Sequence, residues 1–146
     1  MSIESLFSTE ILRTAQDTTL AEVAEAMAAH DVGSMLVFDP GGLAGVITER
    51  DIVRAAARQT DMSRARVSEY MTPDPWVVPA GWTARQVAIR MINHGIQHAP
   101  VIRDGEVVGV VSSFDLLAHL ALSGEDAGRN EGQPAGDADP VEGAGR

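Results

Sequence analysis

The sequence predicts an α/β (α+β) protein made of two β-α-β-β-α units packed about a pseudo-twofold axis. Two observations carry this reading. One phrase is written twice, as Gly45-Val46-Ile47-Thr48-Glu49-Arg50-Asp51 and as Gly109-Val110-Val111-Ser112-Ser113-Phe114-Asp115. Each is a strand end followed by a helix start, in which the hydroxyl residue caps the helix and an acid sits three positions later. In addition, a constant offset of 64 runs without a gap from residue 19 to residue 57, matching Val23 to Val87, His30 to His94, Gly41 to Gly105 and Asp51 to Asp115. An internal duplication explains both. A block of about sixty residues is too small to bury both faces of its own sheet. Two blocks must therefore pack together, with a cleft lined by equivalent positions of both copies.

The elements follow in order. Ser2 to Ser8 reads as a lead-in helix with Ile3, Leu6 and Phe7 on its apolar side, and Ile11-Leu12 as a brief strand. Thr19 to His30 is a helix, because Leu20, Val23, Ala24 and Met27 fall at i, i+3, i+4 and i+7 behind a Thr19/Glu22 capping box. Met35 to Phe38 and Leu43 to Ile47 form a hairpin about Asp39-Pro40-Gly41-Gly42, and Thr48 opens a helix to about Gln59. The series then restarts. Val67 to Met71 reads as a helical turn, and Thr72-Pro73-Asp74-Pro75 as extended or turn. Trp76 to Val78 is a strand, Thr83 to His94 a helix with its own Thr83/Gln86 box, and Ala99 to Ile102 with Val107 to Val111 a second hairpin. Ser112 to Leu122 is the last helix. The expected divisions are a lead-in at 1–8, a first unit at 9–61, a second at 62–122, and a disordered acidic tail at 123–146, which is rich in Gly, Pro, Asp and Glu.

The chain has a formal net charge of −10, and its eleven basic residues are all arginine. An acidic chain without a basic stripe is not expected to bind nucleic acid, whose affinity comes from neutralising phosphates, although a local arginine pair can still hold a small anion. The tail from Ser123 to Arg146 contributes −4 of that charge, with six acids against two arginines. There is no cysteine, which excludes disulfides and thiolate chemistry. No apolar run is long enough to cross a bilayer and no leader is evident, so a cytoplasmic location is expected. The four histidines share no metal-ligand spacing, and no metal site is expected. Nor is there a Ser–His–Asp arrangement or a P-loop, so no enzyme activity is expected.

The repeated Gly-x-x-[Ser/Thr]-x-x-Asp phrases, the Tyr70-Met71-Thr72 start of the second unit and Gly95-Ile96-Gln97-His98-Ala99-Pro100-Val101 together resemble the cystathionine-β-synthase (CBS) domain in its tandem form, the Bateman module. The likeness covers about residues 6 to 122, and a stand-alone pair is the expectation. It implies that the cleft takes an adenosine-containing ligand, such as AMP, ADP, ATP or an S-adenosyl compound. It also implies that Asp51 and Asp115 accept hydrogen bonds from ribose hydroxyls, as a carboxylate can, and that Thr48 and Ser112 touch phosphate or ribose oxygens. The adenine would lie against Val32, Ser34 and Leu36 in one copy and Ile96, His98 and Pro100 in the other. The copies differ. The second keeps the glycine-to-proline pattern at Gly95 and Pro100, where the first has Leu36. The first offers Arg50 beside its aspartate, where the second has Phe114.

Two bland roles compete with these. Asp51 and Asp115 can serve as capping residues alone, and His30 and His94 as polar helix ends. Trp76 and Trp82 are read as staples of the second unit. The apolar residues of the closing helices, Ile52-Val53 with Ala55-Ala56 and Leu116-Leu117 with Leu120, predict a homodimer. The leading functional expectation is a regulatory module that binds an adenosyl ligand, acting on a regulated protein yet to be named. The alternative is a structural dimerisation or partner-recruiting module with no small ligand.

Overall fold

The computed structural model describes residues 2–123; the expectation of a disordered tail falls on 124–146, outside the described residues. A 3-10 turn at Ile3–Ser5 leads into β1 (Arg13–Ala15), α1 (Leu20–His30), β2 (Ser34–Asp39), β3 (Gly42–Thr48) and α2 (Glu49–Ala57). The second unit comprises α3 (Val67–Tyr70), β4 (Thr72–Pro73), β5 (Val78–Pro79), α4 (Ala84–His94), β6 (His98–Arg103), β7 (Glu106–Ser112) and α5 (Ser113–Leu122). This is a mixed α+β fold with two sheets, ordered β1-β2-β3-β4 and β5-β6-β7. In each sheet the first pair is parallel and the hairpin antiparallel.

The capping boxes set the long helices where the sequence places them. Thr19 N–H donates to Glu22 Oε2 at 3.1 Å and Glu22 N–H to Thr19 Oγ1 at 3.2 Å; Thr83 and Gln86 repeat the exchange at 3.0 and 3.2 Å. The duplication is as strict in register as in sequence. Ser34 pairs with Thr48 and Leu36 with Val46, as His98 pairs with Ser112 and Pro100 with Val110, and both hairpins slip register at the equivalent step. Only the turns differ. Asp104 and Gly105 both adopt positive φ, which Pro40 cannot, so the first hairpin moves its positive φ to Gly42.

Three short elements depart from the sequence reading. The strand expected at Ile11-Leu12 lies at Arg13–Ala15, where pairing with β2 begins; Leu12 supplies only its carbonyl, which accepts from Leu36 N–H at 2.9 Å. The strand expected at Trp76 to Val78 is confined to Val78–Pro79. Thr72–Pro73 forms an edge strand on β3, a place where a proline lacking an N–H is tolerated.

The lead-in of each unit completes the other unit's core. Ile3, fully buried, belongs with Val78, Val87, Met91, Val101 and Leu116 of the second unit; its N–H donates to Trp82 O at 3.0 Å. Val67, its counterpart 64 residues on, is fully buried among Leu20, Val23, Val37 and Ile47 of the first. The flanking bridges match too, with Ser2 on Thr83 and Thr19 on Arg66, then Ser8 on Val110 and Thr72 on Val46. This exchange explains the glycine of the repeated phrase. A Cβ at Gly45 would lie 2.7 Å from both Met71 Sδ and Thr72 O; one at Gly109 would run into the Phe7 ring and sit 2.6 Å from Ser8 O. Only glycine lets the crossing segment approach so closely. Leu36 and Val46, on the sheet face opposite Met35 and Val37, are buried as well, so the first sheet is covered on both sides. Among the described residues no helix is long and apolar enough to cross a membrane.

Candidate functional site

The first copy of the repeated phrase closes on itself. Thr48, the N-cap of α2, donates from its N–H at 2.8 Å and from its hydroxyl at 3.1 Å, both to Oδ2 of Asp51, which is only 8% exposed. The second copy is looser. Asp115 N–H donates to Ser112 Oγ at 3.1 Å, but the Asp115 carboxylate accepts no hydrogen bond among the described residues and is half-buried.

A cavity of about 330 Å³ opens beside Asp51. Thr48, Arg50, Asp51 and Arg54 line it from the first unit. The far wall belongs to the second unit, with Trp76, His94 and the segment Gly95 to His98. Of the residues singled out in the sequence, the structure thus brings together Thr48, Arg50, Asp51, Ile96 and His98 across the two units. Ser34 and Ser112 sit outside that wall, each at a strand end paired with the hydroxyl or histidine opposite. Val32 packs half-buried on the first core, while Leu36 and Pro100 are buried within their strands. Asp115 borders a shallow depression with Leu6, Ala118 and His119 instead.

His98 reaches across to the first unit. A Cβ on Gly33 would stand 3.2 Å from His98 Nε2 and 3.2 Å from Glu49 Oε1, so glycine at 33 makes room for this approach. Burial pushes the His98 imidazole below its usual range, against the upward pull of the Glu49 and Asp115 charges. Its Nδ1 is buried and has no hydrogen-bond partner among the described residues.

Trp76, His94 and Arg54 are among the wall residues that the sequence does not assign to the site. Trp76 does pack on the second core as a staple, with Trp82 at 6.1 Å, but it also faces the cavity and stacks with His94 at 6.3 Å and 29°. Arg54 carried one visible signal, its place one turn after Arg50 on the same helix face. His30, by contrast, ends α1 with its Nδ1 2.9 Å from Ala26 O.

A second, larger groove of about 640 Å³ runs between α4 and α5, lined mainly by Ala88, Met91, Ile92, Phe114, Leu117 and Leu120. Ile92, Phe114 and Leu117 are 79%, 75% and 66% exposed. On α2, Ala55 is buried and Ile52 packs on the core, leaving Val53 exposed.

Comparison with known proteins agrees with the duplication. The CBS domain family matches residues 3–58 and again 67–122. An uncharacterized 17.7 kDa protein of Acidianus ambivalens is 34% identical over 120 residues, covering 81% of this chain and 72% of that protein. A CBS-domain containing protein from Agrobacterium tumefaciens superposes with a TM-score of 0.74 at 27% identity, over 80% of this chain and 91% of that one. The CBS domain pair of protein MJ0100, solved in complex with 5′-methylthioadenosine and S-adenosyl-L-methionine, gives 0.73 at 26% identity, over 83% and 96%. The two family matches stand in the same 64-residue register as the strands, the crossing lead-ins and the capped phrases, and the chain belongs to the CBS domain family as a tandem pair.

Proposed function

We propose that this CBS pair is a non-enzymatic regulatory module that binds an adenosine-containing ligand, whether AMP, ADP, ATP or an S-adenosyl compound, in the cavity beside Asp51. The observation that carries the reading is the state of that carboxylate. It is nearly buried, its Oδ2 is taken by Thr48, and its Oδ1 has no partner among the described residues. A carboxylate so held keeps an open acceptor, which suits the vicinal hydroxyls of a ribose. The cavity beside it has an aromatic wall at Trp76 and an apolar one at Ile96, against which a purine can lie. The adenosyl ligands of the MJ0100 pair support the same ligand class. Melting curves of the purified chain with adenosine, AMP, ATP and S-adenosylmethionine test it. A ligand at a hundred times its dissociation constant adds about 2.7 kcal/mol of stability, and a flat response to all four removes the reading.

The groove between α4 and α5 favours a second role beside the first. Three large apolar side chains stand exposed along it, more than a solitary surface helix usually presents. A second copy of the chain covering this groove would form a homodimer.

A further inference from the structure

We infer that residues 124–146 of this chain dock, through their acids, on a row of three arginines along α2. Arg50, Arg54 and Arg58 stand at i, i+4 and i+8, with Arg58 as the C-cap, so they share one helix face and span about 12 Å. All three are exposed. Most other arginines of the described residues are engaged. Arg64 pairs with Asp61 and Arg103 with Glu4, Arg13 and Arg90 lie over the rings of Phe38 and Trp82, and Arg66 donates to Asp17 O. Among the described residues, Arg85 alone joins the row in lacking such a partner. The two acids of α2 do not neutralise the row, because Asp51 is held by Thr48 and Glu49 lies beside Gly33. Like charges one turn apart repel, and in a chain of net charge −10 the row forms a local basic stripe that favours an anionic partner.

The chain itself carries that partner. Residues 124–146 hold Glu125, Asp126, Glu131, Asp137, Asp139 and Glu142 against Arg129 and Arg146, a charge of −4. They follow α5, whose first residues adjoin α2, since Ser113 and Phe114 line one groove together with Arg50. The ten residues of α5 measure about 15 Å. About five extended residues therefore lead back to Arg50, and Glu131 to Glu142 come within reach of the row. A short tether presents such a segment at about millimolar effective concentration. The duplication fixes the polarity of the contact. Sixty-four residues on, Arg50, Arg54 and Arg58 become Phe114, Ala118 and Leu122, so the matching row of α5 is apolar and the acids that follow it find their cations on α2. Arg50 and Arg54 also line the cavity beside Asp51, and docked acids stand at its mouth.

The chain has no cysteine, so Ala138→Cys takes a single nitroxide, and the full-length protein can be followed by the broadening of its backbone amide NMR signals. At about 10 mM salt, where charges reach about 30 Å, the signals of residues 50–58 are expected to broaden; at about 1 M, where the reach is about 3 Å, they are expected to recover. An exposed ion pair contributes up to about fivefold to an equilibrium, so three in a row contribute up to about a hundredfold. Arg50→Gln/Arg54→Gln/Arg58→Gln is therefore expected to abolish the broadening at low salt, and an otherwise unchanged spectrum shows that this variant is folded. Reversing both partners tests the pairing itself. Arg50→Glu/Arg54→Glu/Arg58→Glu combined with Glu131→Lys/Asp137→Lys/Asp139→Lys/Glu142→Lys should broaden residues 50–58 again, where either set alone should not. No broadening there in the wild-type background at low salt, or broadening that survives the three glutamines, overturns the inference. Broadening seen only between a spin-labelled chain and a separate isotope-labelled chain gives the row to the tail of a second copy, and overturns docking within one chain.

Discussion

The amide and hydroxyl of Thr48 both donate to one oxygen of Asp51, at 2.8 and 3.1 Å, leaving the other oxygen without a partner among the described residues. In Asp51→Asn the amide oxygen can take over the Thr48 bonds, and an NH₂ then replaces the open acceptor. The fold should survive with a loss of about 1 kcal/mol or less, the scale of a capping interaction. Affinity for an adenosyl ligand should fall about ten- to a hundredfold. Asp115→Asn should do less on both counts, because the Asp115 carboxylate accepts no hydrogen bond among the described residues and lies away from the cavity beside Asp51. The Gly95-to-Pro100 pattern belongs to the second copy, but its Gly95-to-His98 segment lines the cavity of Asp51, so the larger loss is expected at Asp51. Titration of both variants with AMP and ATP measures the order.

Glycine-to-alanine substitutions separate close approach from mere turn geometry. Gly45→Ala and Gly109→Ala each push a methyl group into the backbone of a crossing segment, at Thr72 O and Ser8 O. Each should cost about 1–3 kcal/mol, the range for overpacking a filled site. Gly81→Ala meets nothing within 4 Å at an ordinary φ and should be neutral or slightly stabilising. Urea unfolding of the three variants checks the contrast; a Gly109→Ala protein as stable as wild type would show that the lead-in is not held against β7.

Much of this architecture is legible in the residues. The helix starts follow from Thr19/Glu22 and Thr83/Gln86, since a capping box is local and the sequence contains all of it. The hairpins follow from continuous apolar runs on either side of Pro40-Gly41 and Asp104-Gly105. The exchange of lead-ins is not legible, because Ile3 meets Trp82 and Ser8 meets Val110 across some eighty to a hundred residues, and no periodicity encodes a pairing at that range. Nor is the composition of the cavity. It depends on how one unit sits on the other, which places His98 by Gly33 and Ile96 by Asp51. Arg54 is not legible either, since an arginine on an exposed helix face looks like ordinary solvation until a cavity is seen beside it.

Truncating the crossing residues tests the exchange directly. Ile3 and Val67 are both fully buried at equivalent positions. Ile3→Ala should destabilise by about 2–5 kcal/mol, as large-to-small substitutions of buried isoleucine do, although the residue lies two positions from the chain start. Val67→Ala should follow at a somewhat smaller cost, as fewer methyl groups are lost. Thermal melts provide the measurement, and an Ile3→Ala variant that melts with wild type would mean that the second core does not need the lead-in.

The pH dependence of stability should carry the signature of His98. Burial depresses its pKa below the ordinary 6.5, so the folded protein favours the neutral ring. Between the folded and unfolded values the unfolded chain binds more protons, and stability rises with pH through that window. The contribution is present in full above about 6.5 and declines as the pH falls below it. Glu49 and Asp115 moderate the decline by drawing a proton onto the ring. His98→Gln should flatten the profile between pH 7.5 and 5, as read by urea midpoints. Parallel profiles for variant and wild type would assign the pH dependence elsewhere.

The groove between α4 and α5 leads to a last expectation, about assembly. Ile92, Phe114 and Leu117 are exposed along it, whereas the first unit turns Ile52 and Ala55 inward. The homodimer should therefore form through the second unit's helices, with the first unit contributing little. Burying such side chains is worth about 1.5–3 kcal/mol each, and a twofold contact buries every one of them twice. Light scattering at micromolar concentration should give twice the chain mass for wild type. Ile92→Glu/Leu117→Glu should give the chain mass alone, because it places like charges against each other across the twofold axis. Val53→Glu, on the opposite unit, should remain dimeric. A wild-type protein of single chain mass at that concentration, or a dimer that survives the double substitution, rules this interface out.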